Sequence, residues 1–260
     1  MRKLLFFAVT LLALCAGRWA TVGALAQVAF NATSNVLAED PTFTTIDFPG
    51  ATFTEAWGIN PRGDIVGLYV SNGVSHGFLL SKEGDFTTID FPDATATAAY
   101  GINRGGDIVG EYTLAGARHG FLLSGDGDFT TIDFPDATIT VANAINRGGD
   151  IVGGYRDAGG VTHGFLLRDG DFTSFDFPDA TTFTGAVGIN ARGDIVGRYV
   201  GAGGVSHGFL LSGGEFSTID FPGATLTRAV GITPRGDIVG SYVIDGVNHG
   251  FLLSRRERHE

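Results

Sequence analysis

The chain has 260 residues, a formal charge of -11, 41 glycines, 21 phenylalanines and one cysteine. So large an excess of carboxylates excludes a surface built for nucleic acid or anionic lipid, which it would repel. A lone cysteine excludes an internal disulfide framework, so stability has to come from burial, for which the chain is long enough.

Arg2 and Lys3, an apolar run from Leu4 to Ala16 and the small-residue site Ala24-Leu25-Ala26 read as a secretory signal peptide over 1–26. The apolar run is too short for a membrane span, and no other segment is long and apolar enough to make one. Cys15 would leave with that leader. Its rival role as a lipid anchor is opposed by Leu14, which stands where a small residue is required. Loss of Arg2, Lys3 and Arg18 takes the formal charge from -11 to -14. The expected product is secreted or extracellular, with the periplasm as the alternative. Residues 27–42 form a polar linker that includes the glycosylation-type triplet Asn31-Ala32-Thr33, and 255–260 form a charged tail.

Between these flanks, residues 43–254 repeat one motif five times, opening at Phe43, Phe86, Phe129, Phe172 and Phe216 with steps of 43, 43, 43 and 44. A period of this length signals a solenoid, a propeller or an array. The first copy holds four strand-like runs, at about Phe43 to Phe48, Glu55 to Asn60, Asp64 to Tyr69 and His76 to Ser81. Turns are marked by Pro61-Arg62-Gly63, Asn72-Gly73 and Glu83-Gly84. No helical period is sustained, so the fold class is all-β.

Four short strands per copy match the blade of a β-propeller, predicting five four-stranded blades. With AxGIN innermost, then DIVGxY, HGFLL and FTTIDFP outermost, the chain opens on an outer strand and ends on a third one. Phe43 to Phe48 is therefore expected to join the last blade and close the ring, hiding an open edge. A stacked β-solenoid is the alternative, opposed by the absence of a capping repeat. Gly67, Gly110, Gly153, Gly197 and Gly240 recur inside the second strand, where close approach of a neighbouring blade is expected.

GINPRGDIVGLYV followed by HGFLLS resembles the HAF repeats of predicted bacterial extracellular proteins, over about residues 43–254. Gly77, Gly120, Gly164, Gly208 and Gly250 replace the alanine of the family triplet, and FPG or FPD replaces its leucine-glycine element. The resemblance implies secretion and repetition and supplies no activity.

Repeated polar residues read as scaffold. His76, His119, His163, His207 and His249 occur once per copy, too far apart under radial symmetry to converge within about 2 Å of one zinc ion, so each is expected to lock its own blade. Asp47, Asp90, Asp133, Asp176 and Asp220, with Asp64, Asp107, Asp150, Asp194 and Asp237, read as turn caps. No cofactor is expected. Calcium alone is left open, at the acidic loops Gly125-Asp126-Gly127-Asp128 and Asp169-Gly170-Asp171, which lack the full spacing of a calcium loop. The threonines after each proline, as in Ala51-Thr52-Phe53-Thr54, read as β-forming surface residues or O-glycan acceptors.

An enzyme needs unique acid, base or nucleophile groups, whereas these polar residues recur fivefold, so no catalytic residue is assigned. Function is sought where the copies differ. Before each Gly-Ile or Ala-Ile stand Trp57, Tyr100, Asn143, Val187 and Val230, and a second variable set is Leu68, Glu111, Gly154, Arg198 and Ser241. A third is the loop before each His, such as Ser71 to Ser75 and Thr113 to Arg118. The ligand-binding candidates are Trp57, Tyr100, Asn143, Glu55, Glu111 and Arg198, with aromatic faces suited to sugar rings. The expected function is a non-catalytic binding module for glycans or extracellular polymers. The alternatives are a self-assembling subunit of an extracellular fibre and, third, a glycan-active hydrolase using Glu55 or Glu111.

Overall fold

The computed structural model describes residues 43–254, so the leader, the linker, Asn31 and the charged tail lie outside the described residues. The described part is all-β apart from a single 3-10 turn at Ala202–Gly204. Its strands form successive antiparallel meanders, one per repeat, within a compact body that begins at Thr45.

The first meander is β1 (Phe53–Ile59), β2 (Ile65–Ser71), β3 (Val74–Leu80) and β4 (Phe86–Ile89). The second is β5 (Ala96–Ile102), β6 (Ile108–Leu114), β7 (Ala117–Leu123) and β8 (Phe129–Ile132). The third is β9 (Ile139–Ile145), β10 (Ile151–Arg156), β11 (Thr162–Arg168) and β12 (Asp171–Phe175). The fourth is β13 (Phe183–Ile189), β14 (Ile195–Val200), β15 (Ser206–Ser212) and β16 (Glu215–Ile219). The fifth has three strands, β17 (Leu226–Ile232), β18 (Ile238–Ile244) and β19 (Val247–Leu253). The strand order within a repeat is the one its sequence predicts.

The turns follow from their chemistry. Asn72 and Gly73, with φ of 51° and 78°, join β2 to β3 in left-handed backbone that only such residues adopt cheaply. At β1–β2 the Asn60 side chain caps the turn, its Oδ1 accepting from the Arg62 and Asp64 amides at 2.8 and 3.1 Å. Its Nδ2 donates to Asp64 at 2.9 Å and also reaches the Asn103 carbonyl of the next meander at 3.3 Å. Asn146 and Asn190 make the same inter-meander bonds, to the carbonyls of Asn190 and Thr233, both at 3.2 Å. These asparagines, rather than the aspartates expected, are the turn caps.

Neighbouring meanders pack face to face. Phe121, Phe165 and Phe209 are fully buried, and each core cluster takes residues from two consecutive repeats, as when Val66 and Ile89 join Ala99, Ile108 and Tyr112. Phe91, after β4, stacks on Tyr112 of the next meander at 3.6 Å, and Phe134, Phe177 and Phe221 repeat the contact on Tyr155, Tyr199 and Tyr242. The later threonine of the post-proline stretch is half-buried at Thr54 and buried in the other four repeats, not a surface residue: Thr97 accepts from the Phe91 amide at 3.1 Å and fixes this stacked corner.

Two further expectations need correction. A Cβ at Gly110 would fall on the Ala98 carbonyl and the Phe121 ring, both in its own meander, so that glycine column serves packing within a meander. The close approach between meanders occurs instead at glycines such as Gly58, where a Cβ would lie 2.7 Å from the Tyr100 carbonyl oxygen. Second, Phe43 to Phe48 is not a strand and does not close the sheet. Phe48 stacks on Tyr69 at 3.6 Å, and among the described residues β19 pairs only with β18. Each end of the arc therefore shows an apolar face. Ile59 is 68% exposed where its equivalent Ile102 is 9%, and Val239 is 45% exposed where Val196 is 0%. Beside β19, Ile219, Phe221, Phe251 and Leu252 border a groove of about 400 Å³.

Candidate functional site

The innermost strands share one irregularity. In β1 the register passes from Ala56 opposite Gly67 to Gly58 opposite Val66, so Trp57 has no partner and is a β-bulge. Tyr100, Asn143, Val187 and Val230 occupy the same place in β5, β9, β13 and β17. A bulge turns its side chain out of the ladder alternation. Here all five point into one axial cavity of about 570 Å³, completed by Arg118 and Val141. A variable column of the repeat thus becomes the lining of a single space.

Trp57 and Tyr100 meet edge to face there, with centroids 5.7 Å apart. Trp57 remains 54% exposed. Burial, followed by the negative charge and hydrogen bond of Glu111, pushes the Tyr100 phenol well above its ordinary pKa, so it stays a neutral donor. Glu111 also pairs with Arg118 and borders a smaller depression behind Tyr100. Asn143 donates to the Ala186 carbonyl at 2.8 Å, bridging the third and fourth meanders.

A second cavity, of about 310 Å³, shares Arg118, Val141, Asn143 and Val187 with the first, so the two are one continuous depression. Arg198 lines it, its guanidinium 3.9 Å above the centre of the Phe183 ring. Burial, and then the like charge of Arg228, hold the Arg198 pKa below the usual arginine value. Trp57, Tyr100, Asn143 and Arg198 therefore gather around this depression with Glu111 behind Tyr100. Glu55, exposed opposite Leu68 in the β1–β2 ladder, lines none of these cavities.

Val141 is a lining residue that the sequence does not single out; it falls in the column of Glu55, Ala98, Gly185 and Arg228, whose variation is the signal that locates it. Arg118, at the end of a variable loop in the sequence, lines both cavities.

The repeated histidines stand on the third strands, away from the axis. His76, His119, His163 and His207 each donate from Nδ1 to the aspartate after the following outer strand, Asp90, Asp133, Asp176 and Asp220, at 2.8–3.0 Å. Those aspartates hold histidines and are not turn caps. Beside each pair a tyrosine stacks on the histidine and bonds an outer-strand hydroxyl, as Tyr112 does with His119 and Thr131. Asp107, Asp150 and Asp194 tie the β1–β2 type of turn to the next hairpin, through Gly125 N, Arg168 and Ser212. Asp169 and Gly170 form a hairpin turn with φ of 52° and 88°. Among the described residues no three His, Cys, Asp or Glu side chains converge as a metal ion requires.

No protein-family model matches the chain, and no curated protein matches it significantly. Solved structures do. Virginiamycin B lyase from Staphylococcus aureus, in an inactive variant with quinupristin, superposes with a TM-score of 0.52 at 18% identity, over 83% of this chain and 75% of its own. TolB from Acinetobacter baumannii gives 0.52 at 14% identity, over 65% of this chain and 43% of its own. The fucose-specific lectin from Aleuria aurantia gives 0.49 at 14% identity, over 76% and 73%, too distant to bear on a ligand. At such identities the likeness concerns the fold alone, and with radially packed four-stranded meanders it is a β-propeller fold.

Proposed function

We propose that this protein is an exported, non-catalytic HAF-repeat module that binds a glycan in its axial depression, on five blades closed into a ring. One observation carries the binding reading: a column that varies between the copies, Trp, Tyr, Asn, Val and Val, is the bulged one, and all five bulged residues line one cavity. Exposed aromatic faces beside amide and guanidinium donors suit a pyranose, which offers an apolar C–H face and a hydroxyl rim. The non-catalytic part is supported by the carboxylates. Glycoside hydrolysis uses two opposed ones, whereas Glu111 is paired with Arg118 and Glu55 stands apart.

Glycan-array binding tests this reading. Trp57→Ala and Tyr100→Ala should each cost about 2 kcal/mol of binding or more, while the thermal transition stays in place. Unchanged binding removes the aromatic pair from the site. Polysaccharide hydrolysis abolished by Glu111→Gln would make the protein an enzyme.

Ring closure is supported by three unmet partners. His249, Tyr242 and the fifth-meander face have, among the described residues, no counterpart to Asp133, Thr131 and the outer strand β8 in the second repeat. By the repeat, those counterparts are Asp47, Thr45 and the segment 43–48. The same open edge favours a second reading, a fibre subunit in which the next copy supplies that segment. Mass measurement across dilution separates them: a monomer at all concentrations supports the ring, and growing chains support the fibre.

A further inference from the structure

The third repeat carries a glycine where the other four carry side chains: Gly154 stands in the column of Leu68, Glu111, Arg198 and Ser241. Its backbone does not call for one. Gly154 sits in the β10 ladder opposite Val141 and Gly164, without a positive φ. A Cβ there would meet the His163 carbonyl oxygen at 3.5 Å and a Thr162 methyl at 3.6 Å, both ordinary contacts. The adjoining Gly153 is the opposite case, since a Cβ on it would lie 1.9 Å from the Val141 carbonyl oxygen. Glycine within a strand loses packing and costs more entropy on folding, so one that no contact demands marks a place kept open for another group.

What Gly154 keeps open is visible one repeat earlier. There Ala96, Ala98, Tyr100 and Glu111 border a depression of about 140 Å³, whereas their equivalents Ile139, Val141, Asn143 and Gly154 border one of about 310 Å³. The Glu111 side chain fills the earlier gap, tied to Arg118 and only 17% exposed. The larger gap opens both ways. Inward it shares Arg118, Val141 and Asn143 with the axial cavity, and outward it shares Arg118, Ile139 and Arg156 with a third space of about 440 Å³ at the loop 157–160. One passage therefore runs from the axis to the rim. Ile139 and Val141 give it apolar surface, and Asn143, Arg118 and Arg156 give it polar groups, which together suit the C–H face and hydroxyl rim of a sugar residue.

We propose that the gap at Gly154 is a second sugar subsite, so that the ligand is an extended glycan running from the aromatic pair at the axis, over Arg118, to the loop 157–160. The subsite rests on the glycan-binding reading and adds that the ligand is a polymer segment rather than a single terminal sugar.

Calorimetric titration of the full chain with ladders of β-1,4-linked glucose, mannose and N-acetylglucosamine oligomers, from disaccharide to hexamer, tests the subsite. In a ladder that binds, the hexamer should bind about tenfold or more tightly than the disaccharide. Gly154→Leu places the first repeat's side chain in the gap and should collapse that ratio, with the thermal transition left in place because the Cβ fits. Hydrogen exchange on the unaltered protein gives a reading that needs no substitution: the hexamer should slow the amides of the loop 157–160, and the disaccharide should not. A ratio that is flat along the ladder or survives Gly154→Leu, or a loop that the hexamer leaves unprotected, overturns the subsite while the binding module stands on the short oligomers. If none of the three ladders binds, the subsite falls, and the binding module falls with it only if the glycan array is blank as well.

Discussion

His163 stands between two carboxylates, its Nδ1 2.8 Å from Asp176 and its Nε2 3.4 Å from Asp157. Burial works to lower its pKa, but the hydrogen bonds and charges of Asp176 and Asp157 outweigh it and raise the folded value. A folded pKa above the unfolded one, about 6.5, gives stability that is complete below that value and lost as pH rises through the folded pKa. The gap in melting temperature between the wild type and His163→Gln should therefore be widest near about pH 5.5 and shrink through neutrality into mild alkali. A gap that is flat or widens with pH contradicts protonated pairing. The sequence shows two once-per-copy columns, His and Asp, but five copies of each fit many pairings. Only the folding of each third strand against its outer strand decides that His119 meets Asp133.

Among elements, the innermost strand carries the largest difference between sequence and structure. Alternation marks it as a strand, and Ala-x-Gly-Ile gives no hint that x is bulged, because one extra residue leaves composition and local period almost unchanged. The bulge explains two columns together. It aims Tyr100 at the axis and brings the Ala98 carbonyl over Gly110 on the next strand, leaving no room for a side chain. Gly110→Ala should therefore cost about 1–3 kcal/mol by urea unfolding, an overpacking penalty in a buried strand. A variant as stable as the wild type would mean that the carbonyl does not sit there.

For the whole molecule, the ends of the arc are unsatisfied in complementary ways. Asp47 lacks a histidine and His249 lacks an aspartate among the described residues, while Ile59 and Val239 expose apolar surface that inner repeats bury. Each such side chain gains about 1.5–3 kcal/mol when covered. If the ring closes on itself, a double-mutant cycle of Asp47→Asn with His249→Gln should give a coupling matching that of Asp133→Asn with His119→Gln, no more than about 1 kcal/mol. It should also be independent of protein concentration. No coupling rejects closure, and coupling that grows with concentration transfers the contact to a second copy. The sequence by itself determined the all-β class, the repeat boundaries, the strand order within a repeat and the residues that vary, because period, turn chemistry and alternation are local properties. Tertiary structure alone decided that a variable column is bulged inward, that Arg198 stacks on Phe183, and that among the described residues β19 pairs only with β18. Those facts depend on how one meander sits against the next, and near-identical repeats carry almost no information about where their differences will meet.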